Sequence, residues 1–348
     1  MAALTPVFSR ATLVINVAGP YALCSTNVVA ACVAAGACYV DVTGESEWVR
    51  HMCCQHQAAA TAAGIMLVFQ AGFDSTVAEV GAWRAREALR EARPSEAAAT
   101  CKGYLVFSGT PTLTNGTFLT ALEGGVGARS TYTFPPTPAY QHGTAHAPVM
   151  PVPKLRVLPS KAHVCALPGA PPDRKALLMQ QPDAPIVRWS AAIRGEPELE
   201  YAQYAILHRA RFPLGRKLAL GCVGLLAVLV SGLCKLLPAA VGAAARRAVV
   251  HLRGHHAGPT AADVERTHVA GLFECTGTSG GIGRVRVEVG EMYEWTAAAV
   301  VATALCVLRD RAGGRVPVRS GCVPPVGGLG EPLVERLIAA GMKVAANP

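Results

Sequence analysis

The sequence predicts an α/β protein: a partial Rossmann-like parallel sheet, then a second α+β domain with an antiparallel sheet and a hydrophobic membrane-associated helix. Three observations carry that prediction. The first hundred residues alternate short apolar runs with longer alanine-rich runs, the grammar changes near Thr100, and residues 218–234 contain no charge.

The alternation reads β-α-β-α-β-α. Leu13 to Val17 is a continuous apolar run broken by Gly19 and Pro20, as expected of a buried parallel strand ending in a loop. Ser25 or Thr26 caps a helix to about Ala35, stopped by Gly36. Cys38 to Val42 is the second strand, closed by Thr43 and Gly44. Ser46 then caps a helix that carries Met52, Cys53 and His56 and ends at Gly64. Ile65 to Gln70 is the third strand, and Ala71-Gly72 turns the chain toward a helix over Val77 to Ala92. Strands alternating with helices of this length imply a parallel sheet, half of a doubly wound fold.

The expected division is therefore 1–100 for a partial Rossmann-like domain and 101–348 for the second domain. The latter opens on a strand at Tyr104 to Phe107 and a short helix at Thr114 to Glu123. Residues 135–185 hold twelve of the twenty-five prolines, too many fixed angles and missing donors for regular ladders, so this stretch reads as loop. Thr276 to Gly283 matches a short-chain dehydrogenase nucleotide turn letter for letter, but that motif needs a helix after its last glycine. Arg284 to Val289 alternates polar and apolar residues instead, so Val269 to Cys275 and Val285 to Val289 are read as a hairpin.

The formal charge of +9 is concentrated. Arg209, Arg211, Arg216, Lys217, Lys235, Arg246, Arg247 and Arg253 stand between Tyr201 and Ala262 with no acidic residue among them. They bracket the apolar run 218–234, which is long enough to enter a bilayer; a helix buried in a soluble core is the other reading of the same run. A lipid or membrane surface reached through 209–253 suits this arrangement. Nucleic acid does not, because Tyr201, Tyr204 and Phe212 are the only aromatic residues beside the cations. Of the twelve cysteines none forms a C-x-x-C pair, and several lie in alanine- and valine-rich surroundings. This points to reduced thiols and an intracellular chain on the cytosolic face of a membrane, with no metal site.

Three polar, glycine-bearing segments follow the three strands: Asn16 to Tyr21, Asp41 to Glu45 and Gly72 to Ser75. Ligands of open parallel sheets bind at the carboxyl ends of strands, which makes Asn16, Gly19, Pro20, Tyr21, Asp41, Gly44, Glu45, Gly72, Phe73, Asp74 and Ser75 the candidate site. Taken singly each segment is also ordinary turn chemistry, and the carboxylates equally suit helix caps. No acid, base or nucleophile stands out as catalytic.

Together and in this order the three segments resemble the saccharopine dehydrogenase-like oxidoreductases, including the trans-acting enoyl reductases. The middle one reads Tyr39-Val-Asp41-Val-Thr-Gly44-Glu45, and the likeness continues at Ser108 to Thr110, Asn115 to Thr117, Gly258-Pro259, Tyr293 to Ala297 and Leu329 to Gly341. The resemblance implies NAD(P)-linked redox chemistry on a small lipid-like or carbonyl substrate, with attachment to a membrane or lipid-droplet surface. In that family the fold opens on a glycine-rich turn whose helix N-terminus holds the pyrophosphate. Here Met1 stands directly before a later strand, so that turn and at least one βαβ unit are expected to be missing from the front. The alternative is a non-catalytic membrane-peripheral interaction protein that keeps the surface without the chemistry.

Overall fold

The computed structural model describes residues 3–108, 114–117, 164–166, 175–179, 183–196, 198–207, 247, 251 and 258–346. After a short helix α1 (Thr5–Phe8), the chain forms β1 (Leu13–Asn16), α2 (Tyr21–Cys24), α3 (Thr26–Ala35), β2 (Cys38–Asp41), α4 (Ser46–Ala62), β3 (Met66–Val68) and α5 (Phe73–Ala92). These strands are parallel, and β10 (Gly321–Val323) joins beside β3, giving the order β1-β2-β3-β10. The parallel sheet read from the sequence is present. Its fourth strand arrives from the far end of the chain, too short a run to show as a strand in the sequence.

β2 and β3 are buried along their whole length, as their continuous apolar character requires. Gly36 (φ 71°) and Gly64 (φ 66°) close α3 and α4 in the left-handed conformation open to glycine. Two helix starts differ from expectation. Glu45 is the N-cap residue of α4 and Ser46 its first residue, and the Ser46 hydroxyl accepts a bond from Gln70 Nε2 at 3.4 Å. α5 begins at Phe73 rather than Val77, so Phe73 to Ser75 form its first turn and are not loop. The Thr76 hydroxyl supplies the reason by donating to the Gly72 carbonyl at 2.8 Å, a local bond that fixes the turn.

The second sheet is mixed. β4 (Ala98–Ser108) lies between β7 (Glu200–Leu207), which is parallel to it, and β8 (His268–Gly277), which is antiparallel. β9 (Ile282–Val289) and β11 (Lys343–Ala346) extend one side; β6 (Lys175–Met179) and β5 (Val164–Ala166) extend the other. The hairpin of β8 with β9 is the one read from the alternation. β5, β6 and the start of α6 (Asp183–Ile193) fall inside 135–185, the stretch read as loop. Prolines are frequent there, but none falls within β5 or β6, and Pro185 stands in the first turn of α6. Of the helix expected at Thr114 to Glu123, Asn115 to Thr117 are described and helical. The apolar run 218–234 lies outside the described residues.

α5 follows β3 of the parallel sheet and packs against the mixed sheet. A Cβ on Gly283 of β9 would come within 2.2 Å of the Ala85 carbonyl and 2.3 Å of the Leu89 nitrogen, so the bare glycine lets helix backbone lie directly on the strand. A Cβ on Gly81 would likewise meet the Phe273 ring at 2.2 Å. The chain then runs through α7 (Ala261–Arg266) into the hairpin and onward to α8 (Met292–Leu305), α9 (Pro325–Leu329) and α10 (Glu331–Ala339). α7 starts with a capping box between Thr260 and Asp263. Among the described residues one helical stretch, Met292–Asp310, is long and apolar enough to cross a membrane. It buries Trp295, Ala299, Thr303 and Cys306 in the fold, as a core helix does.

Candidate functional site

Parallel register brings the strand ends together. Asn16 stands opposite Asp41, and the Ala71 N–H donates to the Asp41 carbonyl at 2.7 Å, so the segments after β1, β2 and β3 share one edge. Asp41 is fully buried at their centre. Its Oδ1 accepts from the Gln70 N–H at 2.8 Å and the Thr43 N–H at 3.2 Å, and its Oδ2 accepts from the Tyr39 hydroxyl at 2.8 Å. Burial pushes the Asp41 carboxyl up to about 7 despite these three donors, so it sits near half-protonation at neutral pH.

Asn16 extends the network. Its Nδ2 donates to Tyr39 Oη at 3.0 Å and to Ser25 Oγ at 2.9 Å, while its Oδ1 accepts from the Ala18 N–H at 3.1 Å. Tyr21 closes the circuit by donating its hydroxyl to the Asn16 carbonyl at 3.2 Å. Burial first, and the Asp41 charge second, hold the hydroxyls of Tyr21 and Tyr39 protonated well above their usual range. Behind them Tyr21, Trp48, Phe69 and Tyr39 form an aromatic wall with successive ring separations of 5.6, 6.0 and 5.5 Å.

Glu45 works on the rim. Its two carboxylate oxygens accept the N–H groups of Tyr21 at 2.7 Å and Ala22 at 2.9 Å, capping α2 just after the cis Gly19-Pro20 bond. The backbone there is an anion cradle filled by the chain's own carboxylate. On the far side, the Phe73 N–H donates to Thr296 Oγ1 at 3.1 Å and Trp295 Nε1 donates to Thr76 Oγ1 at 3.2 Å. The first turn of α5 is thereby fixed to α8.

The eleven candidates divide by accessibility. Asn16, Tyr21, Asp41, Gly72, Phe73 and Ser75 are buried and build the edge; Gly19, Gly44 and Asp74 are exposed, and Pro20 and Glu45 are partly so. Exposed glycine backbone at the carboxyl ends of parallel strands fits the close approach of a nicotinamide. Three contributors were not among the candidates. Tyr39 and Thr296 stood inside motifs already noted, and a polar residue in an otherwise apolar strand was the available signal for Tyr39. Gln70 gave none: among the described residues it is the one non-glycine at positive φ (65°), fully buried, with Oε1 lacking a donor. Such a backbone position is held by its surroundings and occurs preferentially at functional sites.

A parallel sheet with a glycine-bearing carboxyl edge runs through one long helix into a mixed sheet, and in open parallel sheets that edge is where ligands bind. Known proteins share parts of this arrangement. Residues 1–68 match the family model of the saccharopine dehydrogenase NADP binding domain. A lipid droplet localized protein of Caenorhabditis elegans is 37% identical over 78 residues, which is 22% of this chain and 18% of that protein. A saccharopine dehydrogenase-like oxidoreductase of Rattus norvegicus is 34% identical over 80 residues, 23% of this chain and 19% of that protein. The match thus spans under a fifth of the length of those two relatives. The solved structure of apo saccharopine dehydrogenase (L-Glu forming) from Saccharomyces cerevisiae superposes with a TM-score of 0.53 at 14% identity, covering 100% of this chain and 87% of that one, which shows the shared fold. Over residues 1–68 the chain is thus similar to the NADP binding domain of saccharopine dehydrogenases, and it shares the fold of the solved yeast enzyme.

Proposed function

We propose that this chain is an NAD(P)-dependent oxidoreductase acting on a lipid-like or carbonyl substrate at a membrane or lipid-droplet surface. The observation that carries the reading is the convergence of three strand ends on Asp41, with Gly19 and Gly44 exposed in the segments that follow two neighbouring parallel strands. When bound, the nicotinamide supplies or accepts hydride. Asn16, Gly19, Pro20 and Tyr21 would flank the dinucleotide, Asp41, Gly44 and Glu45 would form the middle of its cradle, and Gly72 to Ser75 would face the reacting carbon. The buried Asn16–Tyr39–Asp41 network keeps these loops in place. Surface attachment is supported by the basic stretch 209–253 around the apolar run 218–234, and by the C. elegans relative, whose name places it on lipid droplets.

A second reading, a non-catalytic membrane-peripheral protein, has one observation in its favour: Glu45 already occupies the free N–H groups after β1. One set of measurements separates the two. NADPH at a hundredfold excess over its Kd should stabilise the folded chain by about 2.7 kcal/mol and raise Tm by several degrees. Co-flotation with phosphatidylcholine-coated triglyceride droplets should disappear on deleting 218–234. An unchanged Tm with millimolar NADPH and NADH rejects the enzyme reading, and flotation that survives the deletion rejects the surface assignment.

A further inference from the structure

The segments around Asn115 to Thr117, Gly258-Pro259 and Tyr293 to Ala297 stand far apart in the sequence, yet they meet beside the strand edge. Gly72 follows β3, and a Cβ there would stand 3.5 Å from both Val42 Cβ and Thr296 Cγ2, so this residue lies between the segment after β2 and the start of α8. Thr296 Oγ1 accepts the Phe73 N–H at 3.1 Å and donates to the Met292 carbonyl at 2.7 Å, which fixes α8 against the edge. Tyr293 stands three residues earlier on the same face of α8, with about 5–6 Å expected between the two Cβ atoms.

The Tyr293 hydroxyl gathers a cluster from across the chain. It accepts the Thr114 N–H at 2.9 Å and donates to Thr117 Oγ1 at 2.8 Å. Thr114 Oγ1 lies 3.1 Å from Thr117 Oγ1 and accepts the Thr117 N–H at 3.3 Å. A Cβ on Gly258 would stand 3.4 Å from Thr114 Cγ2, so the loop before α7 closes on the same group. Thr117 is exposed, while Thr114 and Tyr293 are half-buried, which leaves the hydroxyls within reach of a ligand. Three hydroxyls carry three protons. One passes from Tyr293 to Thr117 and one is shared between the two threonines, so whichever threonine donates, the other keeps a proton with no acceptor among the described residues. Tethering 114–117 to α8 is already achieved by the Thr114 N–H and does not account for that spare donor. Among the described residues no lysine or arginine is bonded to the cluster, and the nearby Glu291 carboxylate is committed to the Tyr293 and Glu294 N–H groups at 2.7 and 3.0 Å. The cluster therefore suits a neutral oxygen better than a carboxylate or a phosphate. Apolar surface comes from Phe107, partly exposed near the end of β4, with its ring 6.3 Å from that of Phe73.

We propose that Tyr293, Thr114 and Thr117 form a binding subsite for the oxygen of an uncharged carbonyl or alcohol compound that carries an apolar chain. A threonine hydroxyl gives its spare proton to that oxygen, and for an alcohol the remaining lone pair of Tyr293 Oη accepts the O–H in return. Phe107 borders the apolar chain. The subsite rests on the oxidoreductase reading for its use, and deepens it by naming the groups that hold the substrate oxygen one helical turn from the Gly72 to Ser75 segment.

The test is ¹³C NMR on the full chain labelled at tyrosine Cζ, whose shift follows hydrogen bonding at Oη. The Tyr293 resonance is assigned with Tyr293→Phe or, should that variant not fold, by its displacement in Thr117→Val. Octan-2-one is the probe, added with NADP⁺ so that no hydride is available to reduce it. It should bind and move the Tyr293 resonance, whereas n-octane added to saturation should leave it in place. The double variant Tyr293→Phe with Thr117→Val keeps both shapes and should weaken octan-2-one binding by roughly five- to tenfold, the range one hydrogen bond supplies. Absence of octan-2-one binding, binding that leaves Tyr293 unmoved, an equal displacement by n-octane, or an unchanged affinity in a folded double variant overturns the proposal. A chain that NADPH stabilises but whose Tyr293 ignores the ketone overturns the subsite alone. A Tyr293 response in a chain that NADPH does not stabilise supports the subsite as a carbonyl-binding site and removes the redox reading.

Discussion

The turn after β1 and the turn between β8 and β9 both present free backbone N–H groups, and each has drawn in a glutamate. Glu45 takes the N–H groups of Tyr21 and Ala22; Glu96 takes those of Ser279 at 2.7 Å and Gly281 at 2.9 Å. The hairpin turn is the one whose letters match a nucleotide-binding motif, yet the turn after β1 is the one at the carboxyl edge of a parallel sheet. An anion cradle is a local property of backbone. Its use for a dinucleotide is a property of what the flanking segments do, and β9 continues where that motif requires a helix.

The largest expected effect separates the glycines of the two regions. Gly283→Ala would drive a methyl into the backbone of α5 at 2.2 and 2.3 Å, where no flexible side chain can yield. We expect a loss of about 3 kcal/mol or more by denaturant unfolding. At Gly72, on the crevice side, an added Cβ meets nothing nearer than 3.5 Å and φ is −96°, so Gly72→Ala should cost under about 1 kcal/mol. If the two substitutions cost the same, the hairpin glycine is not there for helix packing and the contrast fails.

The next effect concerns pH. Asp41 behind the crevice and Glu79 beneath α9 are both buried carboxyls raised to about 7 by desolvation. In the unfolded chain they ionise near 4, so between about pH 4 and 7 the native state holds more protons than the unfolded one. Their contribution to stability is therefore fully present below about pH 4 and lost as pH rises through 7, on the order of a few kcal/mol in all. Asp41→Asn keeps an oxygen for the Gln70 and Thr43 N–H groups, and Glu79→Gln keeps one for Val326 and Gly327. Each should flatten the decline in unfolding free energy between about pH 5 and 8. A wild-type chain equally stable across that range would contradict both assignments.

Much of this was legible in the residues. Continuous apolar runs ended by glycine marked the three parallel strands, and strict alternation after Gly283 marked the hairpin against the pull of its motif. Gly321 to Val323 stayed hidden because a three-residue strand has no periodicity, and β5 and β6 because prolines between them masked short regular pieces. The site was legible as an edge but not as contacts. Asp41 and Glu45 could be located at strand ends, whereas Gln70 in a left-handed conformation and the meeting of the Phe73 N–H with Thr296 depend on tertiary packing that no local pattern encodes. Of the two readings open for the strand-end carboxylates, Glu45 shows the capping one, although the helix it caps is α2, after the neighbouring strand, rather than its own.

The smallest effect in stability is the most telling for function. Glu45→Gln and Glu96→Gln each leave one oxygen where two, or one shared between two N–H groups, carried a charge, and each should cost about 1 kcal/mol at these half-exposed positions. Their consequences for NADPH should diverge. A dinucleotide entering the crevice must share the backbone after β1 with Glu45, so removing its charge lowers the competition for those N–H groups and should change the NADPH-induced rise in Tm. Glu96 serves a turn closed over the end of α5, and Glu96→Gln should leave that rise as in the wild type. Should Glu96→Gln alter the response and Glu45→Gln not, the cofactor lies at the hairpin turn, and the assignment of the two regions must be exchanged.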